Sequence, residues 1–105
     1  MNYLEPLNRQ QLLQQMASRV DGLTQKTAGA ALDAALEVLA DALAQGRPVK
    51  LSGFGSFQVR RRPARTNIHP RTGQPVVVPA AWNAVFSPAQ ALRERLRALP
   101  HPPEA

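Results

Sequence analysis

Eleven of the thirteen basic residues in this chain are arginine, and five of the thirteen lie in one stretch, Val59 to Pro79. Arginine suits phosphate because its planar fork offers two donors to two oxygens and stays charged. On an extended backbone Arg60 and Arg62 share one face, roughly 7 Å apart, which is two residues of strand rise. Arg65 continues the line beyond Pro63. That spacing matches the scale of successive phosphates along a nucleic-acid strand. Arginine is also drawn into a narrow minor groove by the focused negative potential there. Arg61 falls on the opposite face and reads as solvated. Beyond Arg65 the stretch passes through a tip of Asn67, Ile68, His69, Pro70, Arg71, Thr72 and Gly73, then returns as Val76, Val77 and Val78. Pro70 at the apex is either a turn former, with Thr72-Gly73 closing the turn, or an apolar wedge for unstacking base pairs. The residues alone favour the turn former.

Other chemistries find little in this sequence. His69 and His101 are its two histidines, cysteine is absent, and no carboxylate lies near His69. No nucleophile–base arrangement, metal-ligand cluster or glycine-rich nucleotide loop is apparent. An enzyme is not expected, nor a cofactor, a metal or a small-molecule substrate. No apolar run approaches the roughly 20 residues of a membrane span, and no signal-peptide pattern opens the chain. No membrane partner is expected. The lack of cysteine fits a reducing compartment.

Charge is segregated. Residues 1–46 carry three bases against five acids, and residues 47–105 carry ten bases against two acids, for a net charge of +6. Solubility alone requires no such division, so the basic half points to a polyanionic partner. A chain of 105 residues forms one modest core, to which an extended arm adds almost nothing.

The elements that must position the arginines follow in order. Residues 1–7 form a loose leader. Asn8 and Gln11 have the spacing of a capping box, and Leu12, Leu13, Met16 and Val20 follow at helical period, predicting a first helix at about 9–20. Asp21-Gly22 ends it. Thr24 caps a second helix over residues 25–45, rich in Ala and Leu and closed by Gly46. It is apolar around most of its circumference, so it must be covered on more than one side. A second copy of the chain is the simplest cover. Val49 to Leu51 reads as a strand, Gly53-Phe54-Gly55 as a turn, and Phe57 and Val59 as the inward face of the next strand. Gln58, Arg60 and Arg62 alternate outward. Pro63 should deform that strand or lie on an edge, and Pro75 and Pro79 suit an arm with free edges. Trp82 to Phe86 extends the returning strand, with Phe86 joining Phe54 and Phe57 as core aromatics. Ser87-Pro88 reads as an N-cap and N1 proline for a third helix ending near Leu99. Leu92, Leu96 and Leu99 would form its inner stripe, with Arg93 and Arg97 outward. Residues 100–105 form an unstructured tail. The fold class is α+β, in the order ααβββα: a helical region over 8–46, then sheet, β-arm (about 60–79) and C-terminal helix over 47–99.

This pattern resembles the HU and integration-host-factor family of bacterial DNA-bending proteins. The resemblance is carried by Leu51-Ser52-Gly53-Phe54-Gly55-Ser56-Phe57, by Val59, Arg60, Arg62, Ala64 and Arg65, by Pro70, Thr72 and Gly73, and by Pro79-Ala80 and Phe86. It covers about residues 7 to 99. It implies an intertwined dimer of the HU type, with a helix-turn-helix base and a three-stranded antiparallel sheet bearing extended β-arms that reach around DNA from the minor-groove side. Arg60, Arg62, Arg65, Asn67, Ile68, His69, Pro70, Arg71 and Thr72 would then be DNA-contacting arm residues, and Pro70 the intercalating wedge. Arg9, Arg93 and Arg97 would touch flanking phosphates. Leu36, Leu39, Leu43, Phe54, Phe57 and Phe86 would form the dimer core. The implied partners are double-stranded DNA and a second subunit, identical or a paralogue. The implied setting is the bacterial cytoplasm and nucleoid, where such proteins compact the chromosome.

Three departures from the family pattern stand out. The tip usually reads glycine-arginine-asparagine-proline, whereas here it is Asn67-Ile68-His69-Pro70. A basic residue is lost and weaker electrostatic hold at the tip is expected, with His69 lending pH sensitivity. Gly22 is a one-residue insertion between the first two helices. Ser87 and Gln90 stand where bases are common. The expected function is therefore low-specificity DNA bending. The alternatives are a sequence-preferring bender of the integration-host-factor type and an interaction module with weakened DNA binding.

Overall fold

Asn8 starts the first helix as its sequence requires. Its Oδ1 accepts from the Gln11 N–H at 2.8 Å, and the Gln11 side chain accepts from the Asn8 N–H at 3.1 Å, completing a capping box. Helix α1 then runs Arg9–Arg19 in a computed structural model that describes residues 4–100. The chain divides into two compact units, Met1–Ala40 and Asp41–Ala105. The expected leader and tail fall partly on residues 1–3 and 101–105, outside the described residues.

Helix α2 (Gln25–Ala44) begins with a reciprocal threonine pair. Thr24 Oγ1 accepts from the Thr27 N–H at 3.1 Å and Thr27 Oγ1 accepts from the Thr24 N–H at 3.0 Å. Its end is a Schellman cap: the Arg47 N–H donates to Ala42 O and the Gly46 N–H to Leu43 O, each at 2.9 Å. Gly46 takes φ 76°, the left-handed region that a side chain would resist. Within the first unit α1 meets α2 at Gly29, where a Cβ would stand 3.5 Å from a Leu13 methyl.

The second unit holds β1 (Val49–Leu51), β2 (Gly55–Arg62), β3 (Arg65–Ile68), β4 (Pro75–Val78), β5 (Ala81–Pro88) and α3 (Gln90–Leu96). β1, β2 and β5 form a three-stranded antiparallel sheet with β2 central, and β3–β4 form a separate two-stranded ribbon. The fold is α+β with the expected three-stranded antiparallel sheet, and the arm adds two strands of its own. The deformation expected at Pro63 takes in both strands at the same level: Arg62 pairs with Ala81, Arg65 pairs with Val78, and the Pro63-Ala64 and Pro79-Ala80 segments between make no ladder. Proline offers no N–H to a ladder, so Pro63 on one strand and Pro79 on the other, one position out of register, interrupt it from both sides.

The start of α3 corrects the sequence reading. Ser87 pairs with Ser56 and Pro88 with Gly55 inside the sheet. Ala89 is the N-cap, without a side-chain cap, and its N–H is spent on Phe54 O at 2.9 Å. The ladder outcompetes the cap because the whole length of β2 is available to pair. The helix stops at Leu96 rather than Leu99; residues 97–99 tighten into three-residue turns through Ala98 N–H to Arg95 O and Leu99 N–H to Leu96 O. Leu96 and Leu99 are exposed, so the expected inner stripe of α3 is open.

Phe57 faces Phe86 directly across the β2–β5 register, with ring centroids 4.9 Å apart, and Phe54 lies 5.3 Å from Phe86. Beneath this cluster Gly55 leaves no room for a side chain: a Cβ would fall 2.5 Å from Ser87 O and 2.6 Å from the Phe86 ring. Among the described residues Ala28 is the one buried hydrophobic, and no large side chain is fully buried. Leu36 remains 51% exposed, Phe54 48% and Phe86 40%. Leu39, Leu43 and Phe57 are half-buried.

Candidate nucleic-acid interface

The β2–β5 register sorts the arginines by face. Phe57, Val59 and Arg61 share one face with Phe86, Ala84 and Trp82; Gln58, Arg60 and Arg62 share the other with Val85, Asn83 and Ala81. Arg60 is exposed beside Asn83, and its guanidinium meets no partner among the described residues. Arg62 is different. It is half-buried at the root of the ribbon, its Nη2 donates to Pro79 O at 3.2 Å, and its Nε is buried without a partner. The carbonyl that Pro79 withholds from the ladder is thus met by the last side chain of β2, a staple across the double break.

Beyond that break the ribbon is polar on one face only in part. Arg65 and Asn67 lie with Val78 and Val76; Thr66 and Ile68 lie with Val77 and Pro75. Ile68 is 69% exposed and Val77 70%. The tip closes over residues 69–74: the His69 N–H donates to Gln74 O at 2.8 Å, and the Gly73 N–H donates to His69 O at 2.9 Å. His69 Nδ1 lies 3.2 Å from the Arg71 N–H and 3.4 Å from the Thr72 N–H, and Thr72 Oγ1 accepts from the Gln74 N–H at 3.3 Å. Gly73 takes φ 70°. Pro70 and Arg71 are exposed at the apex.

Electrostatics are one-signed. The sequence has no carboxylate between Asp41 and Glu94, so nothing in β1–β5 neutralises the arginines. A two-stranded ribbon with exposed guanidinium groups, apolar tip residues and no acid can grip a polyanion and lay apolar surface against it.

A family model described as "Bacterial DNA-binding protein" matches residues 7–97. The chain belongs to this family. Among its relatives, integration host factor subunit beta of Burkholderia cenocepacia is 40% identical over 90 residues, covering 86% of this chain and 84% of the relative. DNA-binding protein HU of Staphylococcus aureus is 38% identical over 91 residues, covering 87% and 100%. Among solved structures, Anabaena HU in a cocrystal with DNA superposes with a TM-score of 0.81 at 36% identity, over 88% of this chain and 99% of that one. HU from Thermotoga maritima superposes with a TM-score of 0.58 at 27% identity, over 85% and 97%.

Against that family fold, the predicted residues separate into groups. Arg60, Arg65, Asn67, Ile68, His69, Pro70, Arg71 and Thr72 all lie exposed on β2, the ribbon or its tip. Arg62 sits at the root instead, partly spent on Pro79. Arg9, read as a flanking phosphate contact, forms an exposed ion pair with Asp33, Nη1 to Oδ1 at 2.7 Å. Arg93 and Arg97 are exposed at the C-terminal end of α3. The reading of single positions missed Val77 as a surface residue. Its signal was present: three consecutive valines in a two-stranded ribbon cannot all face a core. The reading also missed the capping role of His69, which no spacing rule announces.

Proposed function

We propose that this chain is a non-enzymatic architectural protein that binds double-stranded DNA through the minor groove with low sequence preference and bends it. The observation that carries the reading is the acid-free, two-part arm: exposed Arg60 and Arg65 along it, Pro70 and Ile68 at its end, and a double proline break at its root. In this reading Arg60, Arg65 and Arg71 hold phosphate oxygens and the groove, and Pro70 enters the base stack. Asn67, Ile68, His69 and Thr72 line the groove beside it. Arg62 fixes the arm root and keeps its remaining donors for phosphate. Arg93 and Arg97 add flanking contacts, and Arg9 contributes once it leaves Asp33. Unstacking costs a few kcal/mol per step and is offset by the wider wrap that a bend permits.

The working unit is a dimer, with the helical region 8–46 for association and 47–99 for DNA. Among the described residues no large side chain is fully buried, too little core for a chain standing alone. Leu36 on α2 and the Phe54–Phe57–Phe86 cluster are surfaces that a second copy would cover. So is an open concave face of about 590 Å³ lined by Leu43, Val59, Trp82 and Ala84. Such a protein acts on the bacterial chromosome, in the cytoplasm and nucleoid. The 40% identity to integration host factor subunit beta keeps a second reading in view: a sequence-preferring bender paired with a paralogue. A salt titration of affinity on linear and nicked duplexes, with footprinting over random sequence, tests both. The low-preference reading expects steep salt dependence, tighter binding to nicked DNA and no sharp motif. A sharp motif favours the second reading, and salt-independent binding contradicts both.

A further inference from the structure

Each hydrogen bond that closes the arm tip runs to the backbone or ring of His69, to Gln74 or to Thr72, and none runs to Pro70. Two of them end on the imidazole: the Arg71 and Thr72 backbone N–H groups point at Nδ1, 3.2 Å and 3.4 Å away. An N–H can donate only to a ring nitrogen that carries a lone pair, so Nδ1 is unprotonated here and the ring proton sits on Nε2. The imidazolium form has an N–H at both nitrogens and would set a donor against two donors. We propose that His69 is a positioning residue for Pro70: its neutral ring caps the tip turn and holds the wedge in place, and protonation releases the cap. This rests on the wedge reading of Pro70 above.

The surroundings give the protonated ring no compensating partner. Facing the tip, β3 contributes Arg65, the turn contributes Arg71, and β4 contributes no charged group; residues 63–79 hold no carboxylate. The anion that would favour the imidazolium is DNA phosphate. Mild acid therefore acts in two opposed ways. The added charge strengthens attraction to the polyanion, while the lost cap loosens the wedge. Affinity holds or rises as pH falls, and bending declines. A histidine acting only as a charge would move both together. The effect follows protonation of the ring, with the wedge set at the alkaline end.

The test uses the full chain. In the DNA-free protein, amide resonances of Arg71 and Thr72 are followed by NMR together with the His69 ring. They are expected to shift with the midpoint of the ring itself. Bending is then read by energy transfer between the ends of a duplex from about pH 5 to pH 8. The wild type is expected to lose bending toward acid while retaining affinity. His69→Asn, whose Oδ1 caps the backbone two and three residues on without titrating, is expected to bend at every pH. His69→Lys, charged but unable to accept, should bend weakly throughout with affinity intact. Arg71 and Thr72 amides that stay still while the ring titrates would overturn the proposal. So would an Asn variant with the wild-type pH profile. A Pro70→Ala chain that bends fully would remove the wedge reading while leaving the amide result to stand on its own.

Discussion

Arg60 and Arg65 stand exposed along the arm, and their contribution is countable. Each phosphate neutralised adds about 0.9 to the magnitude of the logarithmic salt slope on duplex DNA. Arg60→Ala with Arg65→Ala on both arms of a dimer should flatten that slope by roughly 3 to 4 and weaken binding to all sequences alike, measured by gel shift across salt concentrations. An unchanged slope would place the phosphate contacts elsewhere. Gly55 makes the opposite kind of prediction, about stability. Its Cβ position is already filled by Ser87 O and the Phe86 ring, at 2.5 Å and 2.6 Å. Gly55→Ala should therefore cost about 1–3 kcal/mol through overpacking, read as a lowered thermal midpoint. A midpoint equal to the wild type would mean that the aromatic cluster yields freely.

The elements show what local sequence determines and where it stops. Helix α1 was legible to the residue at its start, because Asn8 and Gln11 satisfy each other's backbone donors without help from elsewhere. Asn8→Ala should cost about 1 kcal/mol, checked by denaturant midpoint, with Asn8→Ser close to neutral. Gly46 and Gly73 were legible for a similar reason: one ends α2 and the other closes the tip turn, both in the left-handed region. Ser87-Pro88 misled because its local signal is genuine but loses to β2, thirty residues earlier in the chain. The five-strand pattern was half legible. Pro63 announced a disturbance, but only the register shows that Pro79 falls at the same break on the other strand, one position off. The faces of Arg60 and Arg61 followed from strand period. The turn of Arg62 onto Pro79 O could not, since it depends on a carbonyl brought across that break.

For the whole molecule, the telling feature is the shortage of interior. Ala28 is the one buried hydrophobic among the described residues, while Leu36, Phe54, Phe86 and Trp82 stay exposed. If a second copy covers these surfaces, folding and association are linked, and the thermal midpoint must rise with protein concentration. Calorimetry over a hundredfold range of concentration checks this, and a constant midpoint would point to a self-sufficient monomer. The expectation of a second copy came from α2 alone, whose apolar residues run round most of its circumference. Which surfaces stay uncovered was not legible there, because that requires knowing how much of α2 is met by α1.

The central claim is that the arm bends DNA by inserting Pro70. It is tested most directly by energy transfer between the labelled ends of a short duplex, comparing the wild type with Pro70→Ala at matched saturation. We expect the wild type to bring the ends together and Pro70→Ala to remain bound through its arginines while leaving the duplex close to straight. Equal transfer with both proteins at saturation would contradict the account.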